Sequence, residues 1–210
     1  MTKLLLVGIF SIAVLHSTAH AAAKITCAPT HSEANILRAG NRHTASPHPP
    51  GASVLKKLIE QRLNLMREVA KAKWNTGSAI EDPTREQQLL ADVAVKASTA
   101  GISAEWAQHF FRFQIEAAKQ VQYRLFAQWT AERRGPFPQV EDLRTDIRPK
   151  LDLLTAELLK ELARQWPVLT QRGLPEQKDS SSQPSANYTA RRLAWLPFTD
   201  GSLQSLRHVQ

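Results

Sequence analysis

The sequence predicts an all-α protein built as a helical bundle. Its 210 residues include only 8 glycines, and Pro83 is the single proline between residues 51 and 135. The glycine-free stretches that Gly77, Gly101 and Gly135 separate are rich in Ala, Leu, Gln, Glu, Lys and Arg, which favour helices. Runs of β-branched residues, which favour strands, are scarce. This composition argues against a dinucleotide-binding sheet, a β-sandwich and a collagen-like rod.

Four segments with apolar residues at helical spacing are predicted, at residues 52–75, 83–99, 104–129 and 141–166. The second has the clearest start, because Asp82 can act as its N-cap and Pro83 suits the first helical position. Ser103 can cap the third in the same way. In the fourth, Pro149 either starts the main part of the helix or kinks it.

The flanking regions lack this regular pattern. Residues 22–50 are rich in Ser, His and Pro, which predicts a flexible linker before a helical core at residues 51–135. We expect residues 136–172 to form a C-terminal helical segment. The pattern decays after Pro167, so we expect a flexible tail at residues 173–210.

The N-terminus predicts a secretory signal peptide at residues 1–21. Lys3 precedes an apolar run of about a dozen residues, and Ala19-His20-Ala21 provides a cleavage site after Ala21, with Ala22 and Ala23 as alternative ends. The run is too short to span a bilayer as a mature helix. We therefore expect a periplasmic or secreted protein that has no membrane association after cleavage.

Charge and cysteine content indicate which kinds of partner and metal site the chain can have. The formal charge of +8 suggests an anionic partner without distinguishing nucleic acid, lipid and a small dianion. Cys27 is the only cysteine, so the chain has no internal disulfide, and no Cys/His cluster has the spacing of a zinc site. We expect no bound metal.

Two cations lie on the apolar face of the first helical segment. Arg62 and Lys73 are 11 residues apart, which is three helical turns, and they share a stripe with Leu55 and Ile59. Buried cations are costly unless they bind anions. Two interpretations stay open here: the side chains bind a ligand, or they extend to water or pair with carboxylates of other helices.

Polar residues also interrupt the next two helices. Gln114 and Gln122 lie in the apolar stripe of the third segment, and a buried glutamine needs hydrogen-bond partners. For Gln114 we expect a backbone carbonyl. Arg85 and Glu86 follow the Asp82 cap, where a helix start and a solvated surface are the ordinary explanation. Together with Arg62 and Lys73, these groups suggest a pocket for a small dianion that carries a hydroxyl group.

The pattern resembles the helical chorismate mutases, specifically the secreted (gamma) class. The resemblance covers residues 52–166 and is most specific in LIEQRLNLMREVAKAKW (58–74), IEDPTREQQLL (80–90) and FFRFQIEAAKQVQYRLFAQW (110–129). The signal peptide and DLRTDIRPKLDLL (142–154) resemble the secreted class. The resemblance implies a bundle whose pocket is enclosed by helices of a single chain, with residues 136–172 completing the site.

The same resemblance implies the pericyclic (Claisen) rearrangement of chorismate to prephenate, which needs no cofactor. Arg62 would bind one substrate carboxylate, and Lys73 would contact a carboxylate and the ether oxygen whose bond to carbon breaks. Gln122 would donate a hydrogen bond to that oxygen. Family members often have a hydroxyl residue where this chain has Ala118, so one substrate hydrogen bond is missing or supplied elsewhere. A homodimer is implied by the resemblance alone.

The remaining roles fall on the second and fourth helical segments. Asp82 and Glu86 would hold the ring hydroxyl, and Arg85 would stand in the pocket wall near the carboxylates. In the secreted class, an arginine from the C-terminal segment of the same chain completes the pocket. Arg148 matches it best, and Arg144 is the alternative because the spacing after Asp142-Leu143 is one residue longer than the family pattern leads us to expect.

Two other functions remain possible at this point. A secreted helical protein that binds a small aromatic or dicarboxylate ligand without turnover would share these arginines. A nucleic-acid or membrane-surface protein would need an exposed basic face with interleaved aromatics, whereas Arg62 and Lys73 face the core. The pairs Arg133-Arg134 and Arg191-Arg192 are too short for such a face, so we expect no nucleic-acid partner.

Overall fold

Helix boundaries follow the capping residues, glycines and prolines of the sequence. The computed structural model describes residues 50–174 and 186–206, and this part of the chain is helical and contains no strand. Its helices are α1 (Pro50–Thr76), α2 (Pro83–Thr99), α3 (Ala104–Ala131), α4 (Arg148–Arg172), α5 (Tyr188–Trp195) and α6 (Ser202–Ser205). A π-helical turn at Leu143–Ile147 precedes α4, and a 3-10 turn at Leu196–Phe198 follows α5. The all-α prediction is confirmed.

The predicted signal peptide and linker lie outside the described residues, except that Pro50 begins α1. Within residues 50–174 and 186–206, no helix combines the length and the apolar character that a membrane span requires.

Local side-chain hydrogen bonds start α2 and α3 at the predicted positions. The Asp82 carboxylate accepts a hydrogen bond from the backbone N–H of Arg85 at 3.2 Å, and the Glu86 carboxylate accepts one from the Asp82 N–H at 3.4 Å. Ser103 Oγ likewise accepts from the Trp106 N–H at 3.2 Å. These bonds satisfy N–H groups that have no partner in the first helical turn.

The fourth helical segment is divided by the π-helical turn. Asp142 caps that turn, and Pro149 lies in the first turn of α4, so this proline starts the helix and does not kink it. We expected the helical pattern to decay after Pro167, but α4 continues through this proline to Arg172. Leu169, beyond the proline, is completely buried, and its packing holds the last turns in place despite the lost backbone hydrogen bond.

The core lies where α1 packs between α3 and α4, with α2 against α3. Gly51 permits the close approach of α1 and α4, since a Cβ atom there would lie 1.7 Å from the Nε2 atom of Gln165. Asn75 ties the end of α1 to the loop that follows α3 by exchanging two hydrogen bonds of 2.8 Å with the Phe137 backbone.

The C-terminal residues differ from the flexible tail that the sequence leads us to expect. Helix α5 packs along α3, and apolar side chains of residues 186–206 join the core: Ala190, Ala194, Trp195, Phe198 and Leu203. Gln114 donates a 2.7 Å hydrogen bond to the Ala194 carbonyl, which is the kind of backbone partner expected for this glutamine. The tail prediction is therefore wrong for residues 186–206, while residues 175–185 and 207–210 lie outside the described part.

Candidate active site

One cleft gathers every candidate residue except Arg144, the alternative to Arg148. It is formed by α1, α2, α3, the π-helical turn and α4 of a single chain, as the resemblance implies. The eight residues named from the sequence all line it: Arg62, Lys73, Asp82, Arg85, Glu86, Ala118, Gln122 and Arg148.

Arg62 is held in the wall of the cleft with 5% of its surface exposed. Its Nε atom is buried and has no hydrogen-bond partner in the described part of the chain. Burial lowers the pKa of Arg62 to about 10; the charge of Asp152 opposes this shift and the charge of Arg85 adds to it. The guanidinium is thus charged at neutral pH and poorly solvated, which favours binding of an anion.

Lys73 is the second buried cation, with 7% of its surface exposed. Its Nζ atom donates a hydrogen bond to the Ile80 carbonyl at 2.5 Å. Burial lowers the pKa of Lys73, and the negative charge of Asp82 partly opposes the shift. Among the described residues neither Lys73 nor Arg62 forms an ion pair. The alternative of extension to water or pairing with a buried carboxylate does not describe them.

The other cations of the cleft are paired across helices. Arg85 of α2 contacts Asp152 of α4 at 2.5 Å, and Arg148 of α4 contacts Asp82 at the start of α2 at 3.0 Å. A third ion pair joins Lys119 of α3 to Glu86 of α2. The cleft is therefore lined by five cationic and three anionic side chains, a formal charge of +2: Arg62, Lys73, Arg85, Lys119 and Arg148, with Asp82, Glu86 and Asp152.

Gln122 provides a neutral donor in the apolar part of the cleft, with 4% of its surface exposed. Its Nε2 atom donates to the Ala118 carbonyl at 3.2 Å and lies 3.8 Å from the Met66 sulfur, a weak acceptor. Its Oε1 atom is buried and finds no hydrogen-bond partner among residues 50–174 and 186–206. A stronger acceptor brought by a ligand can replace the sulfur.

The geometry separates the two candidate arginines of the C-terminal segment. Arg148 lines the cleft, whereas Arg144 is exposed and lines a neighbouring groove. The π-helical turn explains the longer spacing, because the Arg148 N–H bonds to the Leu143 carbonyl five residues earlier and the turn takes up the additional residue.

Three polar residues of the cleft were not predicted from the sequence: Lys119, Asp152 and Thr155. Their spacing along the helices could have identified them as residues of the cleft. Lys119 lies three residues before Gln122, and the other two lie four and seven residues after Arg148, so each shares a helix face with a predicted site residue.

Known proteins are similar to this chain in sequence and in fold. Residues 53–123 match the family described as chorismate mutase type II. The chain is 36% identical over 141 residues to the secreted chorismate mutase of Mycolicibacterium smegmatis, a match that covers 65% of this chain and 77% of the relative. It is 30% identical over 109 residues to the secreted chorismate mutase of Yersinia pestis, covering 51% of this chain and 57% of the relative.

Among solved structures, the chorismate mutase of Burkholderia thailandensis matches with a TM-score of 0.61 and 34% identity, covering 71% of this chain and 99% of that one. The family match at residues 53–123 includes all the predicted site residues except Arg148. Sequence similarity and fold similarity agree, and the chain belongs to the helical, type II chorismate mutases.

Proposed function

We propose that the cleft binds chorismate and converts it to prephenate through the residues that line it. The observation that carries this proposal is the pair of buried cations, Arg62 and Lys73, which have no carboxylate partner among the described residues. Chorismate is a dicarboxylate, and its two negative charges match the formal charge of +2 in the cleft. Burial strengthens this attraction because the dielectric constant is low away from water.

The reaction needs a restricted conformation of the substrate. The side chain of the substrate must fold over the substrate ring in a diaxial arrangement before the new carbon–carbon bond can form. Arg62 and Arg148 hold the carboxylates from α1 and α4, and Arg85 supports them from α2. Fixing the reactive conformer on binding removes much of the entropic part of the barrier.

Charge stabilisation accounts for the rest of the mechanism. As the ether C–O bond lengthens, negative charge grows on its oxygen and the ring side becomes cationic. Lys73 and Gln122 donate hydrogen bonds to that oxygen from fixed positions, so they bind the transition state better than the ground state. No proton is transferred, and the step uses no cofactor.

The ring hydroxyl is bound at the other edge of the cleft. Glu86 accepts its hydrogen bond, and the Asp82 cap at the start of α2 holds that corner. Ala118 provides no hydroxyl group, so its side chain contributes only the shape of the wall here. A protein that binds the ligand without turnover would have the same cations, but the relatives and the solved neighbour are named chorismate mutases.

We also propose that the chain is exported, to the periplasm or out of the cell, with cleavage after Ala21, and that it assembles as a homodimer. The N-terminal sequence supports export, and both relatives described above are named secreted chorismate mutases. Mass spectrometry of the mature N-terminus and sedimentation of the purified protein test these two points.

Lys73→Ala tests the proposed site directly. Loss of one charged donor to a developing oxyanion lowers kcat by at least ~10²-fold, by analogy with other oxyanion sites. Arg148→Ala raises KM as well, because this arginine mainly holds a carboxylate. The assay follows chorismate consumption by the purified mature protein, with folding checked by circular dichroism.

Lys71→Ala is the matched control, since Lys71 is on the same helix and pairs with Glu68 outside the cleft. It leaves kcat unchanged. A folded Lys73→Ala protein with normal turnover contradicts the assignment of the site, and a wild-type protein that binds chorismate without consuming it contradicts the function.

A further inference from the structure

Lys119 is the cationic residue of the cleft to which the mechanism above gives no part. It lies on α3 between two site residues, one position after Ala118 and one helical turn before Gln122. Its side chain is 15% exposed, so the ammonium group is mostly withdrawn from water.

The ammonium group joins two carboxylates. Its Nζ atom lies 2.6 Å from Glu116 Oε1 on the same helix and 3.4 Å from Glu86 Oε2 on α2. Burial lowers the pKa of Lys119, but the hydrogen bond to Glu116 and the charge of Glu86 outweigh burial and raise it above the usual value. Lys119 is therefore a permanently charged link between α3 and α2.

Glu86 has few other restraints. Its Oε1 atom accepts the long 3.4 Å hydrogen bond from the Asp82 N–H, and Lys119 is the only side-chain donor to it among the described residues. The Glu86 side chain is 27% exposed and has three rotatable bonds, so a carboxylate without this contact has freedom to turn toward solvent. The contact with Lys119 keeps it between α2 and α3.

We propose that Lys119 is a positioning residue that fixes the Glu86 carboxylate as the acceptor for the ring hydroxyl of the substrate. This inference rests on the role given to Glu86 in the proposed function. The hydroxyl takes no part in bond making or breaking, so its hydrogen bond has similar strength in the ground state and the transition state. Loss of the positioning contact therefore raises KM and leaves kcat nearly constant.

The test is a double-mutant cycle on the full mature protein with chorismate as substrate. Lys119→Met raises KM by about three- to tenfold, a coupling of the size measured for residues in contact, and changes kcat by less than about twofold. Lys119→Arg keeps the charge and restores most of the affinity. In the Glu86→Gln background, Lys119→Met adds less than about a twofold change in KM, because the group it positions is already altered.

A matched control is Lys71→Met, which removes a lysine from an i,i+3 ion pair with Glu68 on α1, outside the cleft. It leaves KM and kcat unchanged. Thermal unfolding of every variant shows that the folded fraction is equal, and Lys119→Gln replaces Lys119→Met if the latter does not fold.

The outcomes distinguish failure of the positioning role of Lys119 from failure of the role of Glu86. If Lys119→Met raises KM equally in both backgrounds, the lysine acts through its charge alone and the positioning role is wrong. An unchanged KM in Lys119→Met, with a raised KM in Glu86→Gln, also overturns it. If Glu86→Gln itself leaves KM unchanged, the role of Glu86 in the proposed function fails.

Discussion

At the scale of single residues, the site is built from groups that the fold tolerates poorly. Arg62 and Lys73 are charged, are almost completely buried and have depressed pKa values because burial disfavours their charged forms. Their positions on one helix face made them predictable from the sequence. The same property that makes them costly in the free protein makes them effective at binding an anion.

Replacing Arg62 by Met exchanges activity for stability. Burial lowers the pKa of Arg62 to about 10, and this shift corresponds to roughly 3 kcal/mol of unfavourable burial. Because the folded pKa is the lower one, this cost is present in full below about pH 10 and disappears as the pH rises toward the unfolded value. At pH 7, Arg62→Met therefore raises the free energy of unfolding by about 1–2 kcal/mol while kcat/KM collapses.

Thermal unfolding and chorismate turnover measure the two effects. Arg67→Met is the control, because Arg67 is exposed on the same helix, and it changes neither quantity by much. A destabilised Arg62→Met protein means that Arg62 contributes more to packing than its burial costs.

Gln122 gives a prediction that depends on pH. An amide donates its hydrogen bond at every ordinary pH, so the wild-type activity is nearly flat between about pH 5 and 8, apart from other titrations. A glutamate donates to the ether oxygen only when protonated. A free glutamate has a pKa of about 4.3. At position 122, burial raises this pKa and the charge of Lys73 lowers it. Gln122→Glu therefore folds normally and is active mainly on the acidic side.

The measurement is kcat/KM against pH for both proteins, with folding checked at each point. The hydrogen bond from Gln122 to the Ala118 carbonyl also allows a purely structural role. That role predicts lower stability and an unchanged pH profile. A folded Gln122→Glu protein with the wild-type profile at full rate removes Gln122 from the mechanism.

At the scale of helices and turns, local chemistry determined what the sequence could predict. The starts of α2 and α3 depend on Asp82 and Ser103, whose cap hydrogen bonds reach at most four residues along the chain. The choice between Arg144 and Arg148 could not be made in the same way. It depends on the π-helical turn, which changes the direction of each following side chain and is set by packing against α1.

Helix α5 could not be predicted because it has only eight residues and its hydrophobic pattern is too short to show a period. Its place is fixed by distant partners. The Asp200 carboxylate beyond α5 pairs with His109 of α3 at 2.7 Å and accepts the backbone N–H of Ser202 at 2.9 Å.

Asp200→Asn tests this attachment through pH. Burial raises the pKa of Asp200, but hydrogen bonds from His109 and Ser202 outweigh burial and bring it below the usual 3.8. The folded pKa is the lower one, so the stabilisation is present above about pH 4 and is lost as the pH falls through the folded value. The variant therefore has a lower Tm than wild type at pH 7, and the difference shrinks as the pH falls below about 4. Asp92→Asn, which replaces an exposed carboxylate on α2, is the control and keeps the wild-type Tm at pH 7.

At the scale of the whole molecule, the sequence predicted the cleft better than the boundary of the fold. Regular spacing was enough to place Arg62 and Lys73 on the apolar face of α1 and Gln122 on the apolar face of α3, since helix geometry is fixed. Contacts between helices, such as Arg85 with Asp152, depend on how the helices cross and are invisible in the pattern. The covering of α3 by residues 186–206 is a contact of the same kind.

Removal of residues 175–210 tests how much the fold depends on that covering. A flexible tail is dispensable, but here deletion removes the buried Trp195 and Phe198 and exposes Trp106 and Phe110, whose rings lie 5.8 and 5.3 Å from the Phe198 ring. Losing one buried aromatic side chain costs about 3–5 kcal/mol, and domains are stable by only about 5–15 kcal/mol. The truncated chain therefore loses cooperative thermal unfolding and chorismate turnover together, because α3 also carries Gln122.

Phe198→Ala in the full chain gives the graded form of this experiment. It lowers the free energy of unfolding by about 3 kcal/mol and keeps kcat in the fraction that is folded, since Phe198 lies outside the cleft. Circular dichroism melting and a turnover assay below the melting temperature measure both quantities. A truncated chain that keeps the wild-type Tm and full turnover restores the interpretation of residues 173–210 as a dispensable tail, and the packing of α5 on α3 then contributes nothing measurable to the fold.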